Sequence, residues 1–183
     1  MQFEGVGIDG AYIVHLDPRR DERGSFARLY CVDELAGAGI DLVPVQTNLG
    51  SSKQAGTLRG LHFQVAPHQE AKLVHCIEGS IFDAIVDVRR DSPTFGKTAS
   101  VTLSADGDRA FYIPPGCAHG YLTLEPDTKV LYFVGTRYTP EADRGLAWDD
   151  PDLAIPWPIE PQVMVDRDRS NPRFSELDPE WLT

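Results

Sequence analysis

The chain has 183 residues, of which 42% are hydrophobic and 25% are charged, values that are ordinary for a soluble globular protein. Its 17 Lys and Arg against 28 Asp and Glu give a net charge of −11, which argues against nucleic acid and anionic membranes as partners, because phosphate-bearing surfaces demand a basic face. A chain of this length buries about 70% of its surface on folding, so one domain over residues 1–183 is expected.

Short strands follow one another along most of the chain. The 14 prolines and 16 glycines punctuate short segments, many of which alternate apolar and polar residues. The predicted strands are Tyr12–Leu16, Phe26–Cys31, Pro44–Leu49, Gly56–Phe63, Ala71–Ile77, Ser80–Val88, Lys97–Leu103, Ala110–Ile113, Ala118–Leu124 and Lys129–Gly135.

Turns and helices are brief. The dipeptide Glu78-Gly79 separates two of these strands and predicts a tight hairpin. Helices are predicted only at Asp33–Ala36 and at Pro140–Arg144, the second with Thr139 as its N-cap.

So many strands and so little helix favour an all-β class, namely an antiparallel barrel or jelly roll with short peripheral helices. An immunoglobulin-like sandwich is the alternative, but the Cys…Trp…Cys spacing typical of that fold is missing. Residues 148–183 are rich in Pro, Asp and Trp. We expect this segment to be an irregular C-terminal tail that packs on the barrel.

Cysteine usage and hydropathy bear on the cellular compartment. Cys31, Cys76 and Cys117 form no CxxC pair, which fits a reducing cytosol better than a disulfide framework or a structural zinc site. No basic-then-apolar signal segment follows Met1, and no apolar run approaches the ~20 residues that span a membrane. A cytoplasmic protein is therefore expected.

Charge is unevenly distributed along the chain. Residues 1–72 hold 7 basic and 9 acidic side chains, whereas residues 73–183 hold 10 and 19. An anionic ligand is therefore expected to approach the first 72 residues, although simple drift in composition gives the same pattern.

The run Pro114-Pro115-Gly116-Cys117-Ala118-His119 stands just ahead of a predicted strand and matches the P-x-G-x-x-H motif of the cupin family. Metal-binding cupins add an H-x-H, but at the equivalent place this chain has His62-Phe63-Gln64, with a neutral amide where a second imidazole is needed. A transition metal needs three or four correctly aimed ligands, so His62 and His119 alone predict no metal site.

Further ordered strings run between residues 10 and 172. They are Arg59-Gly60-Leu61-His62-Phe63-Gln64, Lys72-Leu73-Val74, Phe82-Asp83, Ser92-Pro93-Thr94-Phe95-Gly96, Tyr132, Tyr138-Thr139-Pro140-Glu141, Trp148-Asp149-Asp150-Pro151 and Asp168-Arg169. Together they resemble the dTDP-4-dehydrorhamnose 3,5-epimerase family, a metal-free branch of the cupins. The resemblance implies a jelly roll, a homodimer with exchanged N-terminal strands, no cofactor, and inversion of carbons flanking the ketone of a nucleotide-linked 4-keto-6-deoxyhexose.

Four residues match catalytic positions of that family, and their chemistry suits epimerisation, which needs a base, an opposing acid and a cation at the enolate. His62 matches the general base, Tyr132 the proton donor on the other face, and Lys72 the residue near the keto oxygen. Asp168 matches the tail aspartate that pairs with the base, and Asp166 is the competing assignment. Without the resemblance, Tyr132 would be assigned to the core and Lys72 to a sheet edge.

Five further residues match the pocket wall. The resemblance implies that His119 and Asp83 form a supporting pair that lines the pocket. It also implies that Gln46, Asn48 and Arg59 hold the sugar and the diphosphate, for which a guanidinium offers forked donors and a fixed charge.

The nucleotide end contains the main departure from the family pattern. Arg23 and Phe26 match an R-G-x-F element that is supplied across the dimer, and Tyr138 matches the aromatic that stacks on the base. The family usually continues R-G-x-F-x-E, but Arg28 stands here in place of the acid. Thymidine is the family default, and this charge reversal leaves cytidine, guanosine and uridine open.

The sequence leaves three activities open. The leading hypothesis is a cofactor-free epimerase that acts at C3 and C5 or at C3 only. A cupin 3,4-ketoisomerase of the same substrate class is the second hypothesis. A non-catalytic sugar-nucleotide-binding cupin is the third, although a pure binder has no use for a phenol opposite an imidazole.

Overall fold

The computed structural model describes residues 1–182, most of which lie in or between β-strands. The strands are β1 (Gln2–Gly5), β2 (Tyr12–His15), β3 (Arg19–Asp21), β4 (Gly24–Phe26), β5 (Gln46–Ser52), β6 (Leu58–Gln64), β7 (Lys72–Glu78), β8 (Ser80–Asp87), β9 (Thr98–Ser104), β10 (Arg109–Ile113), β11 (Cys117–Thr123), β12 (Thr128–Val134) and β13 (Asp143–Gly145). The α-helices are α1 (Val32–Gly37) and α2 (Asp166–Arg169), and 3₁₀ helices cover Pro140–Ala142, Phe174–Glu176 and Pro179–Trp181. Across the described residues, no helix has the length and apolarity that a membrane span requires. Thr183, the last residue of the predicted tail, lies outside the described residues.

Two antiparallel sheets face each other. The large sheet has six strands in the order β1-β2-β10-β7-β12-β5, and the small sheet has five in the order β13-β6-β11-β8-β9. Consecutive strands such as β7 and β8, or β11 and β12, lie in different sheets. This alternation is typical of a jelly roll, so the predicted all-β cupin class is confirmed, with two facing sheets rather than a closed barrel.

The main core lies between the sheets because alternate residues of each strand point inward. The large sheet contributes Val74 and Phe111, and the small sheet contributes Ile85 and Leu103, all of them fully buried. Burying a side chain of this size stabilises the fold by about 1.5–3 kcal/mol. Further along β12 the same inward row reaches Tyr132, and there a pocket lined by several polar side chains opens between the sheets.

Two more apolar clusters cover the outer faces of the sheets. On the large sheet, Leu35 of α1 packs with Leu73 of β7. On the small sheet, Leu153 and Leu177 of the C-terminal segment pack with Val86 of β8. Leu153 and Leu177 flank α2 in the sequence, so their burial holds the segment that contains α2 against the small sheet.

The predicted hairpin at Glu78-Gly79 is wrong. Strand β7 pairs with β10 and β12, whereas β8 pairs with β9 and β11, so the chain crosses from the large to the small sheet at Gly79. Gly79 has a left-handed φ of +72° and lies against Thr128, which turns the chain out of the first sheet. A hairpin and a crossing have the same short Gly-containing link, and only the pairing partners distinguish them.

Near the N-terminus the strands depart from the prediction at four points. Strands β1 and β3 were not expected, and the predicted strand Pro44–Leu49 runs further toward the C-terminus as β5. The predicted strand Phe26–Cys31 is wrong, because backbone pairing ends with β4. Tyr30 instead stacks on Phe133 with ring centroids 5.5 Å apart and donates its O–H to the Leu42 carbonyl at 2.7 Å. Side-chain packing therefore fixes this stretch.

One of the two predicted helices is confirmed. The helix at Asp33–Ala36 is present within α1. The helix predicted at Pro140–Arg144 is confirmed only in part. A 3₁₀ helix begins at Pro140 after Thr139, as predicted, but it ends at Ala142, and the chain then extends as β13 and pairs with β6. The Thr139 hydroxyl hydrogen-bonds His68 Nδ1 at 3.2 Å and makes no cap bond. The open edge of β6 supplies ladder hydrogen bonds that a further helical turn would forgo.

Gly79→Ala is expected to destabilise the fold by about 2–4 kcal/mol. The new Cβ would be strained by the left-handed φ and would stand 2.4 Å from Thr128 Oγ1. Urea unfolding measures the change. The matched control is Gly5→Ala in β1, where a Cβ would meet no atom within 4 Å. Equal losses of stability in the two variants would contradict the role assigned to Gly79.

Candidate active site

A pocket of about 490 Å³ opens between the two sheets. Strands from both sheets and the segment around α2 form its walls. Nine residues singled out from the sequence line it, namely Gln46, Asn48, Arg59, His62, Lys72, His119, Tyr132, Tyr138 and Asp168.

Strand register explains why these side chains converge. In the large sheet, Tyr132 of β12 lies opposite Asn48 of β5. In the small sheet, His119 of β11 lies opposite His62 of β6. Residues paired in register point to the same face of a sheet. The pocket therefore has Tyr132 on one wall and His62 on the facing wall.

His62 is held by a buried carboxylate from the C-terminal segment. Asp168 accepts hydrogen bonds from His62 Nε2 at 2.8 Å and from the Gly60 backbone N–H at 3.0 Å. The Asp168 side chain is 3% exposed, whereas that of His62 is 34% exposed toward the pocket. The competing residue Asp166 is exposed at the start of α2 and does not line the pocket, so the geometry favours Asp168.

The ionisation of Asp168 fixes the state of the imidazole. Burial raises the pKa of this carboxyl, but the hydrogen bonds from His62 and Gly60 outweigh burial, and its pKa lies below the usual 3.8. An ionised carboxylate only accepts hydrogen bonds, so the His62 proton sits on Nε2 and Nδ1 is left as the acceptor. The pair is therefore arranged to use Nδ1 as a base.

A second imidazole–carboxylate pair lies behind the first. His119 Nε2 stands 2.6 Å from Asp83 Oδ1, and both side chains are buried. Asp83 is fully buried and is not among the residues that line the pocket, which corrects the expectation that both members line it. The His119 ring meets Tyr132 edge-on, with centroids 6.3 Å apart. The pair thus supports the wall next to the phenol.

Tyr132 is accompanied by a second phenol that the sequence reasoning missed. Burial raises the pKa of Tyr132 well above its usual value of 10.0, so the hydroxyl stays protonated. Tyr121 also lines the pocket, and its ring centroid lies 6.3 Å from that of Tyr132. Tyr121 follows His119 by two residues on β11, and this period-2 spacing is the signal that could have placed it on the same face.

Lys72 projects into the pocket beside an acid. Its ammonium forms an ion pair with Glu70 at 2.9 Å, and both side chains are largely buried. Glu70 also accepts a hydrogen bond from the Gln64 amide. Because an ion pair with a carboxylate favours the charged amine, Lys72 presents a positive charge to the pocket.

The side chain of Gln64 is fully engaged in hydrogen bonds. Its oxygen accepts from Thr139 N–H at 2.6 Å, and its amide nitrogen donates to the His68 carbonyl at 2.9 Å. Gln64 thereby ties β6 to the loop before β13. Within residues 1–182, no group of three or more His, Cys, Asp or Glu is arranged to hold a metal ion.

Two residues at the pocket mouth, Asp143 and Arg167, were not predicted from the sequence. Asp143 accepts from Tyr138 O–H at 2.9 Å and from Arg167 at 2.7 Å. Gln46 accepts from the Tyr138 backbone N–H at 2.5 Å. The exposed Tyr138 ring is therefore anchored at both its hydroxyl and its backbone.

Besides Asp83, three predicted binding residues lie outside this pocket. Arg23 and Phe26 stand on the β3–β4 hairpin with side chains exposed by 85% and 78% respectively. Arg28 hydrogen-bonds Glu34 of its own chain at 2.5 Å. The structure brings none of the three to the pocket lining, and their roles toward substrate stay predictions.

Comparison with known proteins shows which family the chain resembles over most of its length. Residues 6–176 match the family described as dTDP-4-dehydrorhamnose 3,5-epimerase. A protein of that name from Sinorhizobium fredii is 41% identical over 180 residues, covering 97% of this chain and 91% of its own length. A dTDP-4-dehydrorhamnose 3-epimerase from Streptomyces niveus is 35% identical over 170 residues, covering 92% of this chain and 82% of its own.

A solved structure has the same fold. It is a dTDP-6-deoxy-D-glucose-3,5-epimerase from Legionella pneumophila in complex with dTDP-4-keto-L-rhamnose, and it superposes with a TM-score of 0.93 at 36% identity. The match covers 99% of this chain and 96% of that one. The similarity therefore extends over the whole arrangement of sheets and pocket.

Asp168→Asn is expected to reduce stability near neutral pH but not in acid. A carboxyl whose pKa is lower in the folded state stabilises the fold above its unfolded pKa, and that contribution is lost as the pH falls through the folded value. The difference in unfolding free energy between wild type and variant should be about 1–3 kcal/mol at pH 7 and should shrink between about pH 5 and pH 2.

Urea unfolding across this pH range provides the measurement. The control is Asp166→Asn, which removes an exposed carboxylate from the same short helix and should change stability little at any pH. A difference for Asp168→Asn that persists unchanged to pH 2 would argue against an ionised, paired Asp168.

Proposed function

This chain belongs to the dTDP-4-dehydrorhamnose 3,5-epimerase family, and we propose that its pocket inverts carbons flanking the ketone of a dTDP-linked 4-keto-6-deoxyhexose. The chain is an isomerase of the epimerase type. The observation that carries the proposal for the site is that an imidazole paired with a buried carboxylate and a protonated phenol line facing walls of one pocket.

The proposed reaction begins at His62. Its Nδ1 removes the proton from the carbon next to the ketone, and the electron pair of the broken C–H bond moves into an enolate. Asp168 stabilises the imidazolium that forms, because a buried carboxylate at 2.8 Å favours the charged ring. The His62 side chain is 34% exposed, so the proton that it takes can later pass to solvent.

Two groups complete the step. The Lys72 ammonium stabilises the negative charge that develops on the enolate oxygen. Tyr132 then donates its proton to the carbon from the opposite face, so a new C–H bond forms with inverted configuration. Tyr132 is left as a phenolate and must regain a proton before the next donation.

The polar end of the pocket suits a nucleotide diphosphate. Arg59 offers a guanidinium to phosphate oxygens, and Gln46 and Asn48 line the path from the sugar to the nucleotide. Tyr138 offers an anchored aromatic face on which a base can stack. Thymidine is proposed from the relatives, and a cytoplasmic location stays a prediction from the sequence.

A homodimer completes the proposal. Arg23 and Phe26 lie on an exposed hairpin that belongs to neither sheet, and Phe26 exposes most of an apolar ring. A single exposed ring is common on protein surfaces, so the match of Arg23 and Phe26 to the R-G-x-F element supports the partner, and the exposure leaves the hairpin free to reach it. We propose that the hairpin reaches the pocket of a second copy of the chain.

Solvent deuterium exchange tests the proposed function. Thymidine, cytidine, guanosine and uridine diphosphate 4-keto-6-deoxyhexoses are incubated with the protein in D₂O, and exchange at C3 and C5 is followed by NMR. We expect exchange with inversion for the thymidine substrate. Two labelled carbons indicate a 3,5-epimerase and one indicates a 3-epimerase. Exchange at neither carbon would indicate a protein that only binds the nucleotide sugar and would refute the proposal.

Variants then assign the base and the acid. His62→Ala should abolish exchange while leaving nucleotide binding largely intact, because only the proton acceptor is lost. Tyr132→Phe should allow exchange but suppress inversion, since the base still acts and the donor on the other face is missing. Robust exchange by His62→Ala, or normal inversion by Tyr132→Phe, would refute the respective assignment.

Mixed dimers test whether Arg23 acts across the interface. His62→Ala and Arg23→Ala chains are co-expressed with different tags, and dimers that contain both are purified. One of the two sites then has His62 and receives Arg23 from the other chain, so about half of the wild-type activity should return. Mixed dimers with an activity as low as that of the two single-variant homodimers would show that Arg23 does not act in trans.

A further inference from the structure

The Tyr121 hydroxyl lies at the pocket wall without a hydrogen-bond partner among the described residues. The side chain is 2% exposed, and its oxygen is buried. Leaving a buried hydroxyl unpaired destabilises the folded protein. A phenylalanine would fill the same space without that cost, so the hydroxyl needs a partner in some state of the reaction cycle.

The hydroxyl of Tyr132 lies close to that of Tyr121. The Tyr121 and Tyr132 oxygens lie 3.1 Å and 3.6 Å from the point where a Cβ on Gly50 would stand. The absence of a side chain at Gly50 therefore leaves open the space in which the two hydroxyls approach each other. Asp83, the buried acid in register with Tyr121 on β8, is bound to His119 through Oδ1 at 2.6 Å. Its Oδ2, like the Tyr121 hydroxyl, has no hydrogen-bond partner among the described residues, so the two groups are not bonded to each other.

The charge on Tyr132 changes during the proposed reaction. At rest burial keeps the Tyr132 hydroxyl protonated, so a hydrogen bond to it involves no charged group. Once Tyr132 has given its proton to the enolate carbon, its oxygen carries a full negative charge inside a buried site. Hydrogen bonds to charged groups are about twice as strong as neutral ones, so a donor beside that oxygen stabilises the phenolate far more than the phenol.

We propose that Tyr121 is a positioning residue for the acid, whose O–H donates a hydrogen bond to the Tyr132 oxygen when Tyr132 has released its proton. The inference rests on the proposed function. No covalent bond changes at Tyr121, which keeps its proton, while the Tyr132 O–H bond breaks and the C–H bond of the inverted carbon forms. Tyr121 therefore favours inversion over return of the proton by His62.

The test compares two rates measured in the same D₂O sample. His62 is 34% exposed, so its proton exchanges with solvent and deuterium can return to the original face. This gives exchange without inversion and does not involve Tyr132. Tyr121→Phe should slow inversion by about 10- to 100-fold, as expected for the loss of a hydrogen bond to a charged group, with KM little changed. Exchange should be nearly unaffected, so the ratio of exchange to inversion rises.

Two further variants separate this effect from simple damage. Gly50→Ala places a methyl group 3.1 Å from the Tyr121 oxygen and 3.6 Å from the Tyr132 oxygen. It should crowd the two hydroxyls and raise the same ratio while leaving both phenols in place. Tyr112→Phe, a buried tyrosine in the cluster on the outer face of the large sheet, should leave the ratio unchanged. Thermal unfolding checks that all variants are folded.

The outcomes are distinct. A wild-type protein that neither exchanges nor inverts would refute the proposed function itself. If the wild type inverts and Tyr121→Phe lowers exchange and inversion equally, or changes KM alone, the role of Tyr121 is refuted and the function stands. A raised ratio in both Tyr121→Phe and Gly50→Ala supports the proposal.

Discussion

The buried Asp168 carboxylate is the contact on which the site depends. It reaches from the C-terminal segment to the Gly60 N–H and to the His62 ring, and so joins a chain end to the middle of the small sheet. A carboxylate this deeply buried stays ionised only because both of its oxygens accept hydrogen bonds. The same two bonds set the orientation and the tautomer of the base. The reactivity of His62 therefore depends on the docking of the C-terminal segment.

The jelly roll supplies what a single sheet cannot. Inversion at carbon requires the proton to leave one face and arrive at the other, and therefore two groups that face each other across the substrate. Register places His62 on the small sheet and Tyr132 on the large sheet. The apolar layer of Val74, Ile85 and Phe111 keeps the two walls at a fixed separation. The apolar core therefore also sets the distance between the two walls of the active site.

Much of the strand content could be predicted from the sequence, because alternation of apolar and polar residues is a local signal. The crossing at Gly79 could not, since a short glycine link looks the same whether the chain turns back or changes sheets. The pairing of His62 with Asp168 spans over a hundred residues and was reached only through resemblance. Tyr121 lies two residues after His119 on a predicted strand, a spacing that places both on one face. Asp143 was assigned to a helix, and nothing local indicates that its carboxylate faces the pocket.

The net charge of −11 conflicts with a diphosphate substrate only when the charge is averaged over the whole chain. Three cations line the pocket within the described residues, namely Arg59, Lys72 and Arg167. Lys72 is paired with Glu70 and Arg167 with Asp143, whereas Arg59 has no carboxylate within ion-pair distance among residues 1–182 and donates to the Ser51 carbonyl at 3.1 Å. A cation in an ion pair attracts an anionic ligand only weakly, because its partner already offsets its charge. Such a cation mainly orients the group that it hydrogen-bonds. The uncompensated guanidinium attracts an anion, which is why the proposed diphosphate site is centred on Arg59 and the enolate site on the more tightly held Lys72.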